Sequence, residues 1–156
     1  MHRSLMGATA AIVTSTFAPL AVHAADTFDP ETVIALERQA LDRWGRGDPG
    51  GYLEIYAPEV TYFDPQRERR VDGLDALKAA FEPIKGLVKT SRYEIIGPRV
   101  YHDGNLAVLS FNLETHGSLG DGPITMTRWN VTSVYALIDG RWKIVHHHFS
   151  ITKPGP

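Results

Sequence analysis

Two periodicities divide the chain. Up to residue 86 apolar side chains recur every three to four positions, and from residue 91 they alternate with polar ones, as expected for helices followed by half-buried strands. Val33, Leu36, Ala40, Leu41 and Trp44 make the first helical stripe, opened by Asp29-Pro30-Glu31 and closed by Gly45 and Gly47. An Asp cap, a first-turn proline and an adjacent acid predict a helix over 30–46. Asp48-Pro49 repeats the start, so Tyr52, Leu53, Ile55 and Tyr56 are expected on a short second helix stopped by Pro58. A strand over 60–64 follows and is closed by Pro65, which puts Asp64 at its end. Asp72-Gly73 opens a third helix with Leu74, Leu77, Phe81 and Ile84 on one side, weakened by Pro83 and ended at Gly86.

The strands come next: 92–96, a Gly97-Pro98 break, 99–101, a turn over 102–105 and a strand over 106–115. In that strand Ala107, Leu109, Phe111 and Leu113 share one face, and Val108, Ser110, Asn112 and Glu114 the other. Residues 116–123 read as a glycine-rich loop. The last hairpin has arms 127–138 and 141–150 around Asp139-Gly140, a dipeptide that accepts φ > 0 at both central positions of a type I′ turn. Counting outward from this turn pairs Ser133 with His146, Val131 with His148 and Trp129 with Ser150. Trp129, Val131, Ser133, Tyr135 and Leu137 then share a face with Trp142, Ile144, His146, His148 and Ser150, leaving His147 and Phe149 on the other. Apolar walls with a few convergent polar groups make the first face the expected ligand floor. Helices grouped first and antiparallel strands afterwards predict an α+β fold, three N-terminal helices on a curved, mainly antiparallel sheet.

Composition narrows the function. A 156-residue chain with 43% hydrophobic and 22% charged residues reads as one globular domain. Residues 1–24 have a basic start, a short apolar run and small residues before Ala25, the features of a secretory signal cut after Ala24 and hence of a periplasmic or secreted product. Removing Arg3, the leader's one acid or base other than histidine, takes the formal charge from −2 to −3. A mildly acidic domain without a basic stripe is a poor partner for nucleic acid or anionic membranes. With no cysteine, thiol chemistry and Cys-type metal sites are excluded.

Three segments, 56–65 (Tyr-Ala-Pro-Glu-Val-Thr-Tyr-Phe-Asp-Pro), 71–81 and 139–150 with its Trp-x-Ile-x-His-x-His-x-Ser finish, resemble the nuclear transport factor 2-like superfamily. More narrowly they are similar to the SnoaL-like branch, near the association domain of calcium/calmodulin-dependent kinase II and ketosteroid isomerase homologues. The resemblance covers nearly all of 25–156 and implies a cone-shaped fold; because that fold hosts many activities, function has to come from the site. It puts the isomerase's general base on Asp64. Its oxyanion tyrosine falls on Ala40, and its second oxyanion donor on Ser133 or Val134. The kinase domain's arginine-lined pocket falls on the uncharged Asn112 and Ser133.

The candidate catalytic residues are therefore Asp64, His146 and His148, and the candidate ligand-binding residues Trp44, Tyr62, Asn112, Trp129, Ser133, Tyr135 and Ser150. Asp64 has a competing structural reading, capping the turn after Pro65. Two histidines two apart on a strand can reach one ion, with His116, Glu114 or Asp64 as a third ligand, yet a pocket histidine pair bonded to backbone or serine is the commoner arrangement, and neither metal nor cofactor is expected. Two functions follow. One is a domain that holds a small, mostly apolar molecule, with Asp/His acid-base chemistry of the isomerase, cyclase or dehydratase type; the other is a non-catalytic ligand-binding or homo-oligomerisation domain. Both predict a homodimer, with Ala107, Leu109, Phe111 and Leu113 as an apolar outer face that needs cover.

Overall fold

The computed structural model describes residues 28–153; the expected signal segment, 1–24, lies outside them. Two regular helices, α1 (Glu31–Trp44) and α3 (Leu74–Phe81), are joined by a single-turn α2 (Gly50–Leu53) and precede a six-stranded sheet. Its strands are β1 (Tyr56–Phe63), β2 (Val71–Asp72), β3 (Val88–Asp103), β4 (Leu106–Leu119), β5 (Thr125–Ile138) and β6 (Arg141–Ile151). They lie in the order β2-β1-β6-β5-β4-β3, antiparallel everywhere except where β1 runs beside β6. The fold is α+β as expected, with the second of the three anticipated helices reduced to one turn.

Local chemistry accounts for most boundaries. The backbone N–H of Glu31 donates to Asp29 Oδ1 at 3.0 Å, the cap that starts α1. Arg43 ties the end of α1 to α2, donating to both oxygens of Glu54 (2.7 and 2.8 Å) and to Asp48 (2.7 Å). Pro83 converts the end of α3 into the 3₁₀ turn Glu82–Ile84, because proline offers no N–H to an α-helical bond. Asp139 and Gly140 take φ of 49° and 72°, the positive pair that the last hairpin demands.

Five expectations are corrected. Tyr56 is in a strand and not a helix: β1 starts there and passes Pro58 through an irregular stretch between its pairings at Tyr56 and Thr61, where a proline costs no ladder bond. The Gly97-Pro98 break does not end a strand but sits in a register shift within a continuous β3, and β4 extends through most of the supposed loop to Leu119. Ala107, Leu109, Phe111 and Leu113 are 0–5% exposed and face the helices, so they are core and not an outer face awaiting a partner.

The fifth correction decides the site. From Ile138–Arg141 to Tyr135–Ile144 the hairpin pairs as counted, but Val134 then lies opposite His146 and Val145 is an extra residue. This β-bulge shifts every later pair by one and inverts the faces. Ser133 therefore meets His147, Val131 meets Phe149 and Asn130 meets Ser150. The irregular stretch of β1 lies against the same bulge, so neighbouring strands depart from regular pairing together.

The end of α1 and the start of β3 are clamped backbone to backbone. Gly86 N donates to Gly47 O at 2.7 Å and Thr90 N to Gly45 O at 2.8 Å. At Gly47, φ is +78° and a Cβ would stand 2.8 Å from Gly86 Cα. Gly47→Ala is expected to cost about 1–3 kcal/mol in urea unfolding, from the strained φ and the lost clamp. An unchanged midpoint would show the clamp to be dispensable.

An aromatic cavity backed by a buried carboxyl

Between helices and sheet lies a cavity of ≈ 420 Å³, within the range of small-molecule sites. The helices contribute Leu41, Trp44, Tyr52 and Phe81; the strands contribute Tyr56, Tyr62, Trp129 and Phe149. The rings adjoin one another, mostly edge to face: Trp44–Phe81 at 5.0 Å, Phe81–Tyr62 at 5.7 Å, Tyr62–Phe149 at 6.2 Å and Phe149–Trp129 at 6.1 Å between centroids. Such contacts hold each ring by its neighbours' electrostatics as well as by packing. Tyr52, Tyr56 and Tyr62 are buried at the closed end, whereas Lys89, Leu119 and Thr125 are exposed at the open one.

Asp64 stands in the wall directly after β1. Its Oδ2 accepts the Tyr62 hydroxyl at 2.7 Å and its Oδ1 accepts the backbone N–H of Gln66 at 2.7 Å. The turn-capping bond and the position in the cavity wall thus coexist in one side chain.

Behind the closed end is a cluster that alternation did not reveal. Glu37, on the core face of α1, is fully buried and accepts three hydroxyls: Tyr52 at 2.7 Å on Oε1, and Ser133 and Tyr135 at 2.9 Å each on Oε2. Burial pushes its carboxyl pKa up, and the three hydroxyl bonds partly offset that rise. His147, also fully buried, joins Tyr56 Oη through Nδ1 at 2.9 Å. Burial first, then the neighbouring His146 and His148, drive its pKa down to about 3, so the ring is neutral near pH 7. Its Nε2 lies 3.6 Å from Glu37 Oε1 without a hydrogen bond. With the imidazole neutral this approach is not an ion pair. A proton on Nε2 facing the carboxyl is favoured over a lone pair there, which leaves Nδ1 to accept from Tyr56.

The sequence-predicted residues separate accordingly. Trp44, Tyr62, Asp64 and Trp129 line the cavity together. Ser133 and Tyr135 lie behind its wall, their hydroxyls taken by Glu37. Asn112 and Ser150 sit on the opposite sheet face around Asn130, to which Asn112 donates at 2.8 Å. His146 and His148 are on that opposite face too, flanking Phe63; His146 Nδ1 meets Thr61 Oγ1 at 2.8 Å. The bulge at Val145 brings His147 inward in their place. Ala40 is buried in α1, and no group of three or more potential metal-ligating side chains converges among the described residues. Glu37 was detectable in principle: it is four residues after Val33 and four before Leu41, on the buried stripe of α1.

His147 has a pH signature. Its folded pKa lies below its unfolded one, so the unfolded chain binds the extra proton and the term reduces stability as pH falls from about 6.5 towards 3. Glu37, with its pKa raised, works in the opposite sense: its contribution is present below its unfolded pKa and is lost as pH rises through its folded value. Comparison with a variant isolates the histidine. His147→Gln should be clearly destabilised at pH 7.5, and its deficit relative to wild type should shrink as thermal unfolding is repeated down to pH 4.5. A deficit independent of pH would contradict the neutral buried ring.

Comparisons with known proteins agree with this fold. A profile of the SnoaL-like domain family matches residues 33–154. The alpha chain of Drosophila melanogaster calcium/calmodulin-dependent protein kinase type II is 28% identical over 123 residues, 77% of this chain; the match spans only 23% of the kinase's length. Among solved structures, a candidate ketosteroid isomerase from Parabacteroides distasonis is 32% identical, covering 83% of this chain and 92% of the other with a TM-score of 0.67. The Chlamydomonas reinhardtii calcium/calmodulin-dependent kinase II hub homology domain is 26% identical, covering 78% and 96%, with a TM-score of 0.64. The family profile extends from the first buried residues of α1 to beyond the end of β6, and by that match the chain belongs to the SnoaL-like domain family.

Proposed function

We propose that this protein binds a small, mostly apolar molecule in the aromatic cavity, with Asp64 as the group that takes or holds a proton there. The observation that carries the reading is a carboxylate set among aromatic rings in the wall of a ≈ 420 Å³ cavity. Burying an aromatic ligand against such walls contributes about 25 cal/mol per Å² of apolar area, and Asp64 supplies the polar contact that orients it. In any acid-base step Asp64 is the cavity's candidate, since His146 and His148 occupy the other sheet face. Tyr62, bonded to Asp64 at 2.7 Å, is the phenol placed to share the proton.

A second reading is self-association, favoured by the likeness to a kinase hub homology domain and by Phe63 and Ile96, exposed at 41% and 43% on the sheet face away from the helices. Export through a signal cut after Ala24 completes the proposal; its ground is the pattern of residues 1–24.

One experiment addresses these points together: native mass spectrometry of the full-length gene product, expressed with an intact secretion system and purified without added ligand. The expected species is a homodimer of chains starting at Ala25 that carries a small organic mass, lost in a Thr127→Trp variant whose new side chain fills the cavity. Ligand-free masses for wild type and variant alike would sink the binding reading; a monomer or an uncut N-terminus would sink the corresponding element.

A further inference from the structure

The buried carboxyl behind the cavity is connected to its wall. Tyr56 lines the closed end, and its hydroxyl donates to His147 Nδ1 at 2.9 Å. Across the same ring Nε2 stands 3.6 Å from Glu37 Oε1, a buried nitrogen that no hydrogen bond uses. Hydroxyl, imidazole and carboxyl thus follow one another in the order of a reactive group, its base and the group that orients the base. Bonds of this kind tighten when a ligand is held.

The surroundings confine a proton to this series. The rings of Phe149, Tyr52, Tyr56 and Tyr62 enclose His147, with centroids 4.4, 5.3, 5.8 and 6.1 Å from its own, which leaves Tyr56 and Glu37 as the partners of its nitrogens. Glu37 is faced by Tyr52 of α2, Ser133 and Tyr135 of β5 and His147 of β6. Burial raises the proton affinity of its carboxyl, so Glu37 is a base that cannot itself reach a ligand.

Resting on the binding reading above, we propose that Tyr56, His147 and Glu37 form a second acid-base group of the cavity, with Tyr56 the catalytic residue and the other two positioning it. A ligand proton arrives on Tyr56 Oη as the phenol hydrogen passes to His147 Nδ1 and the Nε2 hydrogen passes to Glu37. One ligand–hydrogen bond breaks and one Glu37 O–H bond forms. Tyr56 and His147 end neutral, the imidazole in its other tautomer, and the negative charge has moved from the carboxylate to the ligand. The reverse sequence returns the proton. Asp64 in the wall and Tyr56 at the closed end then serve two positions of one ligand, as an isomerisation or a dehydration requires.

The test is α-hydrogen exchange of 2-tetralone in deuterated buffer, followed by NMR between pH 5 and 9 with the full-length mature protein, while ligand-observed NMR on the same samples reports binding. Wild type is expected to exchange the ketone at a rate that rises with pH as Glu37 loses its proton. Tyr56→Phe and Glu37→Gln should each lower the rate about a hundredfold with the ketone still bound, and Glu37→Gln should lose that rise with pH. Ser133→Ala removes one hydroxyl from the carboxylate, so the rise should move to higher pH. Thermal unfolding shows which variants fold, and Ser133→Ala carries the test if Glu37→Gln does not. Unchanged exchange in Tyr56→Phe, a rise that survives Glu37→Gln or stays in place in Ser133→Ala, or a ketone that wild type binds and never exchanges overturns the relay and leaves the binding reading standing. A ketone that wild type does not bind overturns both.

Discussion

A carboxyl group removed from water must be satisfied by protein, and the closed end of this fold is arranged around that requirement at Glu37. Its oxygens gather hydroxyls from α2 and β5, while His147 of β6 brings Tyr56 of β1 to the same place. One acid on α1 thereby ties α2 and β5 to that helix, and the His147–Tyr56 pair joins β6 to β1 beside it. An apolar residue at position 37 would leave three buried hydroxyls without an acceptor, at about 1–3 kcal/mol for each unsatisfied group. The same bonds turn the phenol hydrogens of Tyr52 and Tyr56 away from the cavity, so the demand that stabilises the fold also sets the chemical character of the site.

The parts legible in the sequence were those fixed over short distances. Asp29-Pro30-Glu31, Asp139-Gly140 and the Pro83 interruption each act within a few residues, and the structure keeps all three. Asp64 was legible because Pro65 ends its strand. The histidine face was not, because counting from a turn assumes a regular ladder and one bulged residue, Val145, inverts everything beyond it. Alternation in β4 was read correctly as two faces, but which face was covered depended on where the helices came to rest, a long-range outcome that periodicity alone does not contain. Glu37 was overlooked because a charged residue on a helix is expected to be solvated, although its spacing from Val33 and Leu41 placed it on the buried stripe.

The bulge and the irregular passage of β1 past Pro58 work as a pair. A parallel neighbour has to follow β6 through its extra residue, and β1 does so by leaving the ladder between Tyr56 and Thr61 and rejoining it at His146. Tyr56 and Tyr62 consequently both point inward on either side of the detour, one to His147 and the other to Asp64. The site's two polar anchors are the two ends of that departure from regularity.

The far side of the sheet presents a different problem. β3 is a terminal strand of 16 residues whose outer edge has no strand partner among the described residues, and a long unpaired edge is a template on which other chains can stack. The shift at Gly97-Pro98 divides it: glycine at φ +59° bends the backbone, and proline removes a donor. Lys89, Arg92, Glu94 and Arg99 place charge along it. The edge is thereby broken into segments too short and too charged to seed a fibre, which matters for a chain without cysteines to lock it closed.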